Sequence, residues 1–449
     1  MLNYIWLGLI LAAVLMGGAT GHLKELTEGA FDAAKSGVMN VALPLVGIMA
    51  LWLGIMRLAE KSGLVLVLAR VLRPVLRILF PEVPADHPAM GAMVMNIAAN
   101  MLGLGNAATA LGLRAMQRLE RLNPHPGTAT NAMCTFLAIN TSSVQLIPAT
   151  AVGILAAAKS TNPTAIIGTA LVATSCAAIV AVISVKILER LPVFAVAVTG
   201  GGATSGESEP QPVPDEEEDS PTPPPLRWWG APVLGLFGAC FVYWFIRDLV
   251  HPLPPTDPAQ ADLPGASSWV RAIMVVSTLA IPFFISFFPL YAFARGVKVY
   301  EEFVDGARDG FNVAIRIIPY LVAILVAVGM FRAAGGIQML AQWLAPALDR
   351  IGFPADLLPV VLVRPLSGTA TLGLFAELVK AHGPDSFIAR TAGTIMGSTE
   401  TTFYVLAVYF GSVGIRRTRH AVLAGLAADL TGVVVSFIIC RAVFGSGPG

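Results

Sequence analysis

Apolar residues run along this chain in long, nearly unbroken blocks, longer than strands and without the polar face of a half-exposed helix. A helix that crosses lipid needs about 20 mostly apolar residues, because hydrocarbon offers no partner for backbone N–H and C=O groups. Residues 3–18, 38–57, 165–187, 230–250, 270–294, 312–331 and 421–444 read as such spans. The first lacks the basic start and small-residue cleavage site of a secretory leader, so it reads as a retained helix. The pattern predicts an all-α polytopic membrane protein.

Between residues 199 and 226 the pattern breaks down. Gly, Ser and Pro crowd together, and Glu207, Glu209 and the run from Asp215 to Asp219 appear without a basic residue. Such a segment cannot bury a core and reads as a disordered, solvated acidic linker. The expected organisation is a first membrane half over 1–198, the linker over 199–226, and a second membrane half over 227–449.

The two halves repeat one another. Asn40, Val41 and Ala42 recur as Asn312, Val313 and Ala314; Leu72, Pro74 and Leu76 recur as Leu344, Pro346 and Leu348; Phe80 and Pro81 recur as Phe353 and Pro354. After one register shift, Leu111, Gly112 and Leu113 match Leu372, Gly373 and Leu374, and Asn140, Thr141 and Ser142 fall opposite Glu400, Thr401 and Thr402. Small apolar triplets are common in membrane helices, but chance must also reproduce their order. Each copy holds a full span, then a stretch that reads as an interfacial helix (Arg70, Arg73 and Arg77 in the first copy; residues 335–350, less basic, in the second). Next come segments too broken for simple spans, 89–113 and 358–376, which read as re-entrant hairpins or discontinuous helices.

Basic residues orient these elements. With the stretch from Arg57 to Arg77 in the cytoplasm, Met1 lies inside, the loop from Lys24 to Lys35 outside, and Arg114, Arg118 and Arg121 inside. The linker is then cytoplasmic, flanked by Lys186, Arg190 and Arg227, and the span at 312–331 runs opposite to its counterpart at 38–57. The copies become inverted-topology repeats, as in many secondary transporters, with nine crossings and two re-entrant segments. A parallel arrangement with eleven crossings is the alternative.

Composition narrows the function. Of 449 residues, 55% are hydrophobic and 13% charged, against about 25% charged in soluble domains, which excludes a water-soluble enzyme. A net charge of +1 provides no global field for nucleic acid. Cys134, Cys176, Cys240 and Cys440 are widely spaced in apolar stretches, and the six histidines lie near segment ends, so neither a metal centre nor a cofactor is expected. No phosphate-binding loop, zinc-protease pair or hydrolase elbow is present, so the chain is not read as an enzyme.

Polar residues inside apolar stretches carry the candidate chemistry, because hydrocarbon penalises any unpaired polar group. Asn140, Thr141, Ser142, Ser143 and Gln145, closed by Pro148, interrupt one helix; Ser398, Thr399, Glu400, Thr401 and Thr402 interrupt its counterpart. Broken helices at a midplane present half-helix termini as polar ligands. Asn106 with Thr109, and Ser367 with Thr369 and Thr371, are placed to line the same cavity from the hairpins. Any ion or proton coupling falls to Glu400 or Asp429. The alternative readings are structural: hydroxyls bonding their own helices, Glu400 paired with Arg364 or Arg390, and Asp429 packed on a helix end. Arg316 and Arg364 are candidates for an anionic group, or else snorkel or pair internally.

These residues carry a family resemblance. Leu104 to Leu113 with Asn140 to Pro148 resembles spore maturation protein A, and Arg364 to Leu374 with Ser398 to Tyr404 resembles spore maturation protein B. Both families carry a nucleoside-recognition, or gate, domain, and the resemblance covers nearly the whole chain outside the linker. It implies a natural fusion of two proteins usually found apart, with the linker as covalent join, and a gate domain of the kind found in permeation units. Two functions follow as expectations. One is a transporter that moves a small polar solute, nucleoside-like or an ion or metabolite, through a midplane site in the bacterial inner membrane. The other is a non-transporting scaffold or regulator of envelope or spore maturation. The expected partners are the solute and the lipid bilayer, no nucleic acid, with a homo-oligomer left open.

Overall fold

The computed structural model describes residues 2–36, 38–39, 43–84, 87–103, 105–194, 225–251, 268–336, 339, 343 and 352–445. The expected linker lies outside them apart from its last two residues, as does most of the 335–350 stretch. The described residues form 17 α-helices and no strand. In the first half these are α1 (Leu2–Thr20), α2 (Leu23–Ser36), α3 (Leu43–Lys61), α4 (Leu64–Leu79), α5 (Pro88–Met101), α6 (Gly105–Glu120), α7 (Asn131–Ser142), α8 (Ala149–Ala157) and α9 (Ile166–Leu188). In the second they are α10 (Gly230–Val250), α11 (Ser268–Ala294), α12 (Val299–Ala333), α13 (Leu358–Val363), α14 (Gly368–His382), α15 (Phe387–Ser398), α16 (Thr402–Gly411) and α17 (Ala421–Phe444). Among the described residues, α9, α10, α11 and α17 are long and apolar enough to cross a membrane on those criteria alone. The chain is a multi-pass membrane protein.

Each predicted span has its helix, and one expectation is corrected. The segment from Lys24 to Lys35 is not a loop but the amphipathic helix α2, whose Leu26 and Ala33 are buried. Its backbone lies close to α12 at Gly29 and Gly329. α4 buries Val65, Ala69 and Leu76 and exposes Arg70, Val71, Arg73, Val75, Arg77 and Ile78, a mixed face suited to an interface.

The segment at 89–113 resolves into a helical hairpin, with α5 and α6 reversing at Gly103, whose φ of 76° costs glycine little. His87 caps α5 by accepting the Ala89 amide at 3.1 Å. With 14 residues, α5 is about 21 Å long, too short for a hydrocarbon core of about 30 Å. Its counterpart is α13 and α14, interrupted at 364–367.

Equivalent helices from the two halves pack antiparallel, as inverted repeats require. Along α3 and α12, Gly54 lies against Phe303, and Gly310 lies against Met49 and Ala50. Gly306 and Gly310 form a small-xxx-small pair that lets the two backbones approach closely. At one end of α9 and α17 the Arg419 Nε donates to the Phe194 carbonyl at 2.9 Å. At the other end Thr394 joins them, 2.9 Å from the Thr169 hydroxyl and accepting from Cys440 Sγ at 3.2 Å.

The connections interlock reciprocally. The turn before α7 pairs with the turn before α17, the Ala129 amide donating to the Arg417 carbonyl at 3.0 Å and the Arg416 and Arg417 amides to Gly127 at 2.9 and 3.0 Å. The α8–α9 turn docks on the α14–α15 turn, where Asp385 accepts from the Ser160 hydroxyl at 2.5 Å and the Thr161 amide at 2.9 Å. A contact of one loop with another, repeated with the halves exchanged, is the signature of a two-fold relation.

Candidate functional site

The two interrupted helices are built alike and meet tip to tip. Thr130 caps α7 by accepting the Met133 amide at 3.2 Å, and Ser386 caps α15 by accepting the Ala389 amide at 3.1 Å. Each helix runs 12 residues, unwinds, and resumes as α8 or α16. Pro148 stands immediately before α8, and Ser143 sits at φ 29°, a region non-glycine residues rarely adopt. At the meeting point the Glu400 amide donates to the Thr141 carbonyl at 2.7 Å.

Unwinding frees carbonyls that hydrocarbon would penalise, and the fold satisfies several of them internally. Thr174 on α9 donates to both the Ser142 and Ser143 carbonyls, at 2.9 and 3.0 Å. Thr402 donates to Asp429 Oδ2 at 2.6 Å. Gly425 and Gly432 flank Asp429 on α17, and a Cβ at either would collide with Thr402 or with Ser398 and Thr399. The missing side chains let the second break pack directly against that helix.

Two cavities border the meeting point. One, of about 330 Å³, is lined by Trp52, Asn100, Asn140, Gln145, Glu400 and Tyr409, among others. The other, of about 620 Å³, is lined by Gln145, Arg364, Ser367, Thr369, Glu400 and Thr401, among others. Gln145, Thr150, Glu400 and Tyr404 line both and form their shared wall. Within that wall Gln145 Nε2 donates to Glu400 Oε1 at 2.8 Å, joining the first half to the second.

The predicted residues divide by what their side chains do. Asn140, Gln145, Ser367, Thr369, Glu400 and Thr401 line a cavity. Asn140 Oδ1 accepts from Asn100 Nδ2 at 2.8 Å and from the Tyr409 hydroxyl at 3.3 Å. Ser367 caps α14, and Thr401 accepts from Arg364 Nη1 at 3.2 Å. By contrast, Ser142 and Ser398 bond carbonyls of their own helices, and Thr141, Thr399, Thr402 and Asp429 are buried without lining either cavity. Thr371 likewise bonds the Ser367 carbonyl of its own helix at 2.7 Å. The side chains of Asn106 and Arg316 lie outside the described residues. Glu400 pairs with neither arginine: Arg364 donates to Thr401 and to the Met396 carbonyl, and Arg390 reaches Asp385.

Sequence reasoning missed Tyr404, Tyr409 and Thr150. Their signal was faint, since tyrosines on an apolar helix resemble interfacial anchors, yet Asn96 and Asn100, one turn apart on α5, announce a polar face for which Tyr409 is the partner. A third cleft, near Glu82, His125 and Arg419, contains none of the predicted residues.

A family profile described as nucleoside recognition matches residues 42–158 and 314–416, once in each half and across each interrupted helix. Spore maturation protein B of Bacillus subtilis is 48% identical over 171 residues, 38% of this chain and 96% of that protein. Spore maturation protein A of the same organism is 40% identical over 183 residues, 41% of this chain and 93% of that protein. Near-complete coverage of two separate relatives, together with a matched domain in each half of an inverted repeat, shows that the chain belongs to the spore maturation protein A and B family and joins counterparts of both in one polypeptide.

Proposed function

We propose that this protein is a transporter of the bacterial cytoplasmic membrane that passes a small polar solute between two cavities, with the Gln145–Glu400 contact as the barrier. The observation that carries the reading is the shared lining: Gln145 and Glu400, hydrogen-bonded from one repeat to the other, border two polar-lined cavities, each built on the hairpin of a different half. Inverted repeats can exchange conformations by rocking about such a point, so that the site opens first to one side and then to the other. A single hydrogen bond contributes a net of about 0.5–3 kcal/mol, small enough to break thermally in each cycle.

The description of the matched domain makes nucleosides the first solutes to try. The test is uptake of radiolabelled uridine and adenosine, followed by a panel of small polar metabolites, into liposomes holding the purified full-length chain. Glu400→Gln and Gln145→Ala, each checked for an unchanged size-exclusion profile, are expected to change the flux of any transported solute at least severalfold. Wild-type flux in both variants overturns the barrier assignment.

A further inference from the structure

Arg364 is 5% exposed and belongs to the interruption between α13 and α14, inside the larger cavity. An arginine cannot shed its charge there, and a guanidinium carries five N–H donors. Two are engaged, by the Thr401 hydroxyl at 3.2 Å and the Met396 carbonyl at 3.0 Å, both neutral acceptors. Nε has no acceptor among the described residues, and no carboxylate of those residues lies within ion-pair distance. Asp429 interacts with Arg364 through space, but its Oδ2 is taken by Thr402 at 2.6 Å. Asp429 acts only at a distance and Glu400 lines the same cavity without touching the guanidinium, so Arg364 has no carboxylate in contact with it among the described residues and keeps Nε unpaired.

The same cavity receives the start of α14. Its first two amides, Gly368 and Thr369, have no acceptor within the helix, and the helix dipole places partial positive charge at this end. Gly368 keeps the approach open: a Cβ there would stand 3.0 Å from Thr401 Oγ1 and 3.7 Å from Arg364 Nη1. The guanidinium and the helix end therefore act on one volume, and both favour negative charge.

We infer that the larger cavity is an oxyanion subsite, in which Arg364 and the N-terminus of α14 hold a carboxylate or phosphate group of the transported solute. This assignment rests on the transport reading in taking the cavity as hydrated and accessible. Gln145 and Glu400, which line the same cavity, then face the remainder of the solute. The subsite favours anionic over neutral solutes of the same shape.

The test places single reporter cysteines, Thr369→Cys in the larger cavity and Thr150→Cys in the shared wall, in a full-length background with the four native cysteines replaced by Ala or Ser. Each is labelled in liposomes with an anionic and with a cationic methanethiosulfonate, rates being normalised to those with a free thiol. The anionic reagent is expected to be favoured at position 369, with Arg364→Gln lowering that preference about tenfold and Arg364→Lys retaining most of it. Benzoate, or glycerol 3-phosphate, is expected to protect position 369, while benzamide and glycerol do not; the two arms distinguish a carboxylate from a phosphate. Labelling at 369 without charge preference and unchanged by Arg364→Gln, or equal protection by the neutral analogues, overturns the oxyanion subsite and leaves the transport reading standing. Failure of both reagents at both positions overturns the hydrated cavities and the transport reading with them. Arg364→Lys, which keeps the charge, separates loss of anion preference from loss of folding.

Discussion

If α3 and α12 are held together by backbone contact at glycine, then adding one methyl group there must cost stability although alanine is the better helix former. A Cβ at Gly310 would lie 2.6 Å from Ala50 Cα and from the Met49 carbonyl oxygen, and 2.8 Å from the Ala50 amide nitrogen. Ordinary Cβ contacts begin near 3.4 Å, so the helices must separate by 3.4 − 2.6, or about 0.8 Å, and backbone atoms cannot rotate aside. Overpacking of this kind costs about 1–3 kcal/mol. The alanine returns about 1 kcal/mol of helix propensity. Gly238→Ala supplies the control, because a Cβ at Gly238 on α10 meets nothing within 4 Å and only the propensity gain applies. The difference between the two variants cancels propensity and isolates the contact at about 1–3 kcal/mol. Unfolding by SDS titration from mixed micelles measures it, with both variants and wild type in one lipid–detergent mixture. Because α3 also brings Met49, Trp52 and Leu53 to the smaller cavity, solute flux through Gly310→Ala should shift as well. Equal unfolding free energies for Gly310→Ala and Gly238→Ala, within about 0.3 kcal/mol, would refute the close antiparallel crossing on which the inverted arrangement rests.

Other consequences are measurable with the same preparations. Thr174→Val, which keeps shape and removes the donor to two carbonyls of the interrupted helix, is expected to lower unfolding stability by about 1–3 kcal/mol, read by thermal unfolding in detergent. At Asp385, burial pushes the carboxyl pKa up, but bonds from Ser160 and Thr161 and the charge of Arg390 outweigh it and hold the group below the usual carboxylate range. A lowered folded pKa stabilises above the unfolded value of about 3.9, and that contribution fades as pH falls through the folded value. Asp385→Asn should therefore cost about 1–2 kcal/mol at pH 7, allowing for partial exposure, and progressively less as pH falls from about 3.9 through the folded value; a gap that persists unchanged in acid contradicts this account. Deleting residues 203–224 should leave solute flux intact, whereas a scaffold acting through the linker would lose its function; flux and a complementation assay in the native host distinguish the two.

What the linear pattern determined is set by the solvent. Lipid leaves helices as the open choice for long apolar blocks, so the spans, the duplication and the two polar interruptions are legible from residues 3–18 through 421–444 without any contact being known. The basic residues around Arg57, Arg114 and Arg416 favour the reversed running direction over a parallel one, and the antiparallel packing of α3 on α12 decides between them. The helix α2 was legible but overlooked: Leu26, Gly29, Ala30 and Ala33 recur at helical spacing within a segment whose polarity suggested a loop.

Only the tertiary structure decided which polar side chains look into space and which serve the chain itself. Ser142, Ser398 and Thr402 share composition and neighbourhood with Gln145 and Thr401, yet the former bond carbonyls or Asp429 while the latter line the cavities. The difference lies in helix rotation and in the glycines at 425 and 432, which bring α17 against the back of the second interruption. Nor does one-dimensional order reveal that Gln145 would meet Glu400 rather than an arginine, or that Arg364 would be buried with its Nε unpaired. Those are outcomes of two inverted units closing on one another, where a side chain's role depends on which residue, more than 200 positions away, arrives opposite.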